Sequence, residues 1–166
     1  MISTAKLTRT FFAALAAISF SSIPASALTT SGTGFQVSIT VTKGCLIDTD
    51  GSDVDFGSVA YGASLPSAIT RTVAVRCTNG TVYSMYLTSV NTMSGTTRFM
   101  TNGAESVPYT ISYSGTPVGA AAGAAPLNNL TADGTAQSYA LSFAVSSIGP
   151  VTPQTYTDTV TLQVDF

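Results

Sequence analysis

The chain contains no histidine. The commonest general base is therefore missing, and neither a Ser–His–Asp nor a Cys–His nucleophile can be assembled. No Gly-x-Ser-x-Gly elbow and no phosphate-cradling glycine loop stands in the sequence either. An enzyme is not expected, nor a cofactor. Tryptophan is absent as well, which removes the largest aromatic surface for stacking on a sugar. Cysteine occurs twice, at Cys45 and Cys77, and two cysteines without a histidine do not make a zinc site. Long apolar runs are missing: the stretch from Phe11 to Phe20 falls well short of the roughly 20 residues that span a bilayer.

Charge is scarce. Asp, Glu, Lys and Arg make up 8% of the chain, against about 25% in ordinary globular proteins. Beyond residue 27, Lys43, Arg71, Arg76 and Arg98 face eight carboxylates, so four cations against eight anions leave a formal charge of −4. Nucleic acid and anionic membrane surfaces need clustered cations, so neither is an expected partner. Ser, Thr and Gly replace the charges. Such a surface suits an extracellular β-domain solubilised by hydroxyls, and equally a subunit that touches copies of itself.

The N-terminus supplies the first positive signal. Lys6 and Arg9, the short apolar run and Ala25-Ser26-Ala27 together read as an export signal over residues 1–27. Export leads to an oxidising compartment, where a Cys45–Cys77 disulfide is the expected state. The rest of the chain is long enough to bury one core.

Turn signals recur about every ten residues and β-branched residues are abundant, the pattern of an all-β sandwich. Strands are predicted over 35–47, 54–59, 69–77, 81–88, 107–113, 137–146 and 155–165. Asn79-Gly80 predicts a tight hairpin between two of them, and Asn102-Gly103 a second turn. Residues 115–126, rich in Ala and Gly, read as a long exposed loop. Asp48, Asp50, Asp53 and Asp55 form a weak calcium candidate, since hard oxygen donors are close together but the EF-hand spacing is absent. Turn chemistry explains the same residues without a metal.

The two ends of the exported chain are the most regular. Phe35, Val37, Ile39 and Val41 alternate with polar residues, as do Val160, Leu162, Val164 and Phe166. That is the period of a strand with one dry face. For Phe35–Val41 two readings stand side by side. It is the first strand of a closed sandwich, or it is a donor strand that fills a groove in another subunit.

Several features together resemble the spore coat protein U domain family, the subunits of archaic chaperone–usher pili. They are the alternating strand running into Gly44-Cys45, the Phe56-Gly57 pair, Cys77, and the C-terminal Tyr156-x-Asp158-x-Val160-x-Leu162-x-Val164-x-Phe166. Gln154 departs from the glycine expected two residues before the tyrosine, and Asp158 interrupts the apolar face. The resemblance implies an incomplete immunoglobulin-like β-sandwich completed by donor-strand complementation. It divides the chain into a signal at 1–27, a donor segment at 28–44 and a pilin-like sandwich at 45–166. Phe35, Val37, Ile39 and Val41 would be donor residues. Val160, Leu162, Val164 and Phe166 would line the acceptor groove and pair with a chaperone. The implied partners are identical or related pilus subunits, a periplasmic chaperone and an outer-membrane usher. The implied destination is an extracellular, cell-surface pilus reached through the periplasm. The competing reading is a self-contained secreted binding module for a glycan or calcium.

Overall fold

The computed structural model describes residues 34–49, 52–121, 123–124 and 126–166. The predicted export signal and residues 28–33 of the donor segment lie outside the described residues. The chain divides into two units, residues 1–38 and 39–166. All the strands belong to the second, and no helix occurs among the described residues.

The strands are β1 (Cys45–Thr49), β2 (Ile69–Cys77), β3 (Val82–Ser89), β4 (Met93–Ser94), β5 (Thr97–Thr101), β6 (Ser106–Tyr113), β7 (Thr116–Pro117), β8 (Leu130–Thr131), β9 (Ala136–Val145) and β10 (Val160–Asp165). One sheet runs β1-β2-β9-β6-β5-β4, with β7 also paired to β6. The other has three strands in the order β10-β3-β8. Every pairing is antiparallel. The fold is all-β, two antiparallel sheets of immunoglobulin-like type.

Alternation explains why the sheets stack. Val73 and Val75 on β2, Tyr83, Met85 and Leu87 on β3, Tyr109 and Ile111 on β6, and Tyr139 and Leu141 on β9 form one buried cluster. Their neighbours along each strand are more exposed. Each fully buried aliphatic side chain contributes about 1.5–3 kcal/mol over leaving it in water. Cys45 and Cys77 sit directly opposite each other on β1 and β2 and are joined by a disulfide. A cross-link closing a loop of this size contributes about 3–4 kcal/mol in the chain-entropy model.

Five expectations need correction. Regular pairing of the first predicted strand begins only at Cys45, and residues 34–44 form no strand. Alternation asks for a backbone partner but does not provide one. Residues 54–59 also form no strand, although Val54, Phe56 and Val59 are half-buried.

Asn79-Gly80 does make a turn, with Gly80 at φ 76° and the Thr81 N–H donating to the Thr78 carbonyl. It is not a hairpin, because β2 and β3 enter different sheets. The Gly80 N–H bonds instead to the Ala132 carbonyl, and the Ala132 N–H to the Thr81 carbonyl. The turn is thus an arch that lays two apolar faces against each other.

Residues 115–126 are not simply exposed. Val118 is fully buried, its N–H bonded to the Ile111 carbonyl. The Leu87 N–H donates to the Gly119 carbonyl and the Met85 N–H to that of buried Leu127, so this excursion satisfies the far edge of β3. The last strand starts at Val160 rather than 155, preceded by a single bridge between Thr157 and Thr101.

Candidate strand-accepting edge

β10 is a border strand. It pairs with β3 along one side, Val160 opposite Ser89, Leu162 opposite Leu87 and Val164 opposite Met85. No strand pairs with its other side among the described residues. Val160, Leu162 and Val164 turn inward and pack on the core, yet each is only half-buried. Inward-facing Tyr83, Met85 and Leu87 on neighbouring β3 are 2%, 0% and 4% exposed. Thr161, Gln163 and Asp165 face outward, and Phe166 is exposed.

Border strands are usually blunted by lysine, proline or a bulge. β10 carries only Asp165 as a charge and contains no proline. It therefore offers unpaired N–H and C=O groups above an incompletely covered apolar row. The chemistry this supports is main-chain hydrogen bonding to an extended segment, with apolar side chains inserted at every second residue.

The connection before β10 is tied down by polar contacts. Glu105, on the β5–β6 turn, accepts through Oε2 from the Thr152 N–H at 2.7 Å, the Thr152 hydroxyl at 2.6 Å and the Tyr156 hydroxyl at 2.7 Å. These donors hold its carboxyl below the ordinary carboxylate range, Thr152 contributing most. Gln154 accepts from Asn102 Nδ2 at 3.1 Å. Tyr109 is buried, and its hydroxyl donates to Asp158 Oδ2 at 2.6 Å. Burial first, and the Asp158 carboxylate second, push the Tyr109 phenol well above its usual range.

Arg98 is fully buried on β5. It donates to the Leu87 carbonyl at 2.7 Å and the Val118 carbonyl at 3.1 Å. Burial lowers its pKa, while Tyr109 and Asp158 oppose that shift. Sequence reading missed Arg98 as an inward residue, because a charge within β5 hides the strand's alternation. Asp158 had a visible signal, as the acid that interrupts an apolar face.

The proposed donor residues stand in water. Phe35, Val37, Ile39 and Val41 are 92%, 94%, 89% and 73% exposed. Of the calcium candidates, Asp48 lies on β1 and Asp55 Oδ1 accepts from the Gly57 N–H at 2.8 Å, an ordinary Asx contact. Asp53 offers its main-chain carbonyl to Arg71, and Asp50 lies outside the described residues. Among the described residues no group of three or more acidic, cysteine or histidine side chains is placed to hold a metal.

The family model described as Spore Coat Protein U domain matches residues 32–163. The chain belongs to the Spore Coat Protein U domain family. The match begins ahead of the exposed alternating segment, which it covers whole, and ends within β10, after Gln163. No curated protein matches the chain. Among solved structures, it is similar to a chain of the CsuC–CsuE chaperone–tip adhesion subunit pre-assembly complex, from the archaic chaperone–usher Csu pili of Acinetobacter baumannii. The TM-score is 0.53 and the identity 26%, covering 76% of this chain and 40% of that one. The chain thus spans less than half the length of the one it resembles. No helix among its described residues is long and apolar enough to cross a membrane.

Proposed function

We propose that this protein is a structural, non-enzymatic subunit of a chaperone–usher pilus that polymerises by donor-strand exchange. The observation that carries the reading is the pair of unsatisfied ends. Among the described residues β10 lacks a partner along one side, and the segment Phe35–Val41 exposes four alternating apolar side chains. Each lacks what the other supplies.

In this reading residues 28–44 are the donor segment and 45–166 the accepting sandwich. Val160, Leu162, Val164 and Phe166 form one wall of the groove. Phe35, Val37, Ile39 and Val41 of one copy fill the groove of the next. Burying four such side chains contributes ~6–12 kcal/mol before ordering costs. Head-to-tail contacts that do not close generate a filament. Before assembly an unfilled groove is an aggregation hazard, which a periplasmic chaperone covers by lending a strand until the usher hands the subunit on. The relationship to a chaperone-bound pilus subunit supports this route. The product is a cell-surface fibre serving adhesion or biofilm formation.

Deleting residues 28–42 tests the assignment. The deleted subunit is expected to fold in complex with its chaperone, to accept a donor and to fail as one. A deleted subunit that unfolds even beside its chaperone makes the segment an intrinsic strand and ends the proposal.

A further inference from the structure

A strand within a sheet is held in register from both sides. Among the described residues β10 pairs only with β3, and its inward row, Val160, Leu162 and Val164, is nearly self-similar under a shift of two residues. A one-residue slip would turn the row outward and is forbidden by burial, but a two-residue slip preserves the alternation. Something other than the apolar pattern must fix where β10 starts.

The residues just before it are bound to both sheets. Asp158 Oδ2 accepts from the Tyr109 hydroxyl of β6 at 2.6 Å. Its Oδ1 accepts from the Asn91 N–H, just past β3, at 3.3 Å and from the Thr159 N–H at 2.8 Å. Asn91 Nδ2 donates to the carbonyls of Phe99, at 3.0 Å, and Thr157, at 2.9 Å. Thr157 exchanges two main-chain bonds with Thr101 of β5, and the Val90 N–H donates to the Thr159 carbonyl. Arg98, opposite Tyr109 in the ladder, reaches across to the Leu87 carbonyl, and Leu87 is the residue opposite Leu162.

From this we infer that Asp158, with Tyr109 and Asn91, is a positioning residue that pins the register of β10 and so sets which gaps between Val160, Leu162 and Val164 meet an incoming strand. The inference rests on the donor-strand reading for its consequence, but its register component stands alone. The interruption of the apolar face is then the anchor for that face. A carboxylate suits the role because it accepts from both sheets at once, and charge-assisted hydrogen bonds are stronger than neutral ones.

Two cysteine pairs in the full chain read the register. Tyr86→Cys with Gln163→Cys joins residues that are opposite in the observed ladder. Tyr86→Cys with Thr161→Cys joins residues that become opposite only after a two-residue slip. With Asp158 present, the first pair oxidises and the second does not. With Asp158→Ala, the slipped cross-link is expected to rise about tenfold relative to the native one, and fibre formation to slow by a similar factor. Tyr109→Phe, which removes one hydroxyl and keeps the packing, shifts the ratio the same way by less. It carries the test where Asp158→Ala yields no folded protein. A lower melting temperature with an unchanged cross-link ratio in both variants means a merely structural role and overturns the inference. Absence of fibres from the chain with Asp158 intact sinks the donor-strand reading instead and leaves the cross-link ratio to decide the pin.

Discussion

Phe35–Val41 and Val160–Asp165 carry the same alternation toward opposite ends of the described residues, yet they end in different states. The first is exposed and forms no strand. The second is a strand that is paired along one side and half-buried. Period-two patterning is therefore a demand for a partner, and what the demand becomes depends on whether a ladder is available. β10 finds β3. The segment before Cys45 finds no ladder until the disulfide-linked pair with Cys77 begins one.

The strongest way to break this contrast is to remove the staple that separates strand from non-strand. Cys45→Ser with Cys77→Ser should lower unfolding free energy by about 2–5 kcal/mol in denaturant titration. Amides of 45–49 should then exchange as fast as those of 35–44. Slow exchange there would mean the ladder, not the disulfide, holds β1.

Next in size is a charge in β10. Leu162→Asp places a carboxylate in the half-buried row and should cost about 2–3 kcal/mol. A thermal midpoint equal to the parent's would show that the row is not packed on the core.

Acid sharpens the role of the Glu105 clamp. Its folded-state pKa is lowered, chiefly by Thr152, so its stabilisation is full above the unfolded value of about 4.3 and is lost as pH falls through the lower folded value. Glu105→Gln should be less stable than the parent at neutral pH, and the gap should close on acidification. A gap that is constant from neutral pH to pH ~3 contradicts the assigned contacts.

The smallest effect on folding belongs to the N-terminal segment. Ile39→Asp lies in water and should shift folding stability by no more than about 0.5 kcal/mol, while abolishing fibres seen by electron microscopy. Wild-type fibre yield would remove Ile39 from the joint.

Much of the core is legible in the sequence. The strands over 69–77, 107–113 and 137–146 are observed nearly as predicted, because Val73/Val75, Tyr109/Ile111 and Tyr139/Leu141 alternate cleanly. The disulfide followed from export and two cysteines. What escaped was non-local. Asn79-Gly80 encodes a turn but not whether the flanking strands pair or face each other across a core. The excursion after Gly115 looks exposed because alanine and glycine dominate it, while Val118 and Leu127 bury their side chains and the Gly119 and Leu127 carbonyls dock it onto β3. β5 was missed because Arg98 points inward, stabilised by carbonyls that only the folded chain brings near. At the candidate site the apolar rows were readable, but the anchor formed by Tyr109, Asn91 and Asp158 joins residues far apart in sequence.

The most direct measurement uses two versions of the chain, one carrying only Ile39→Cys and the other only Leu162→Cys, mixed during assembly and oxidised. Insertion of one copy's leading segment beside another's last strand predicts a covalent mixed dimer that neither version forms alone. Recovery of fibres with no such cross-link, at these residues or at neighbouring in-phase pairs, would contradict it.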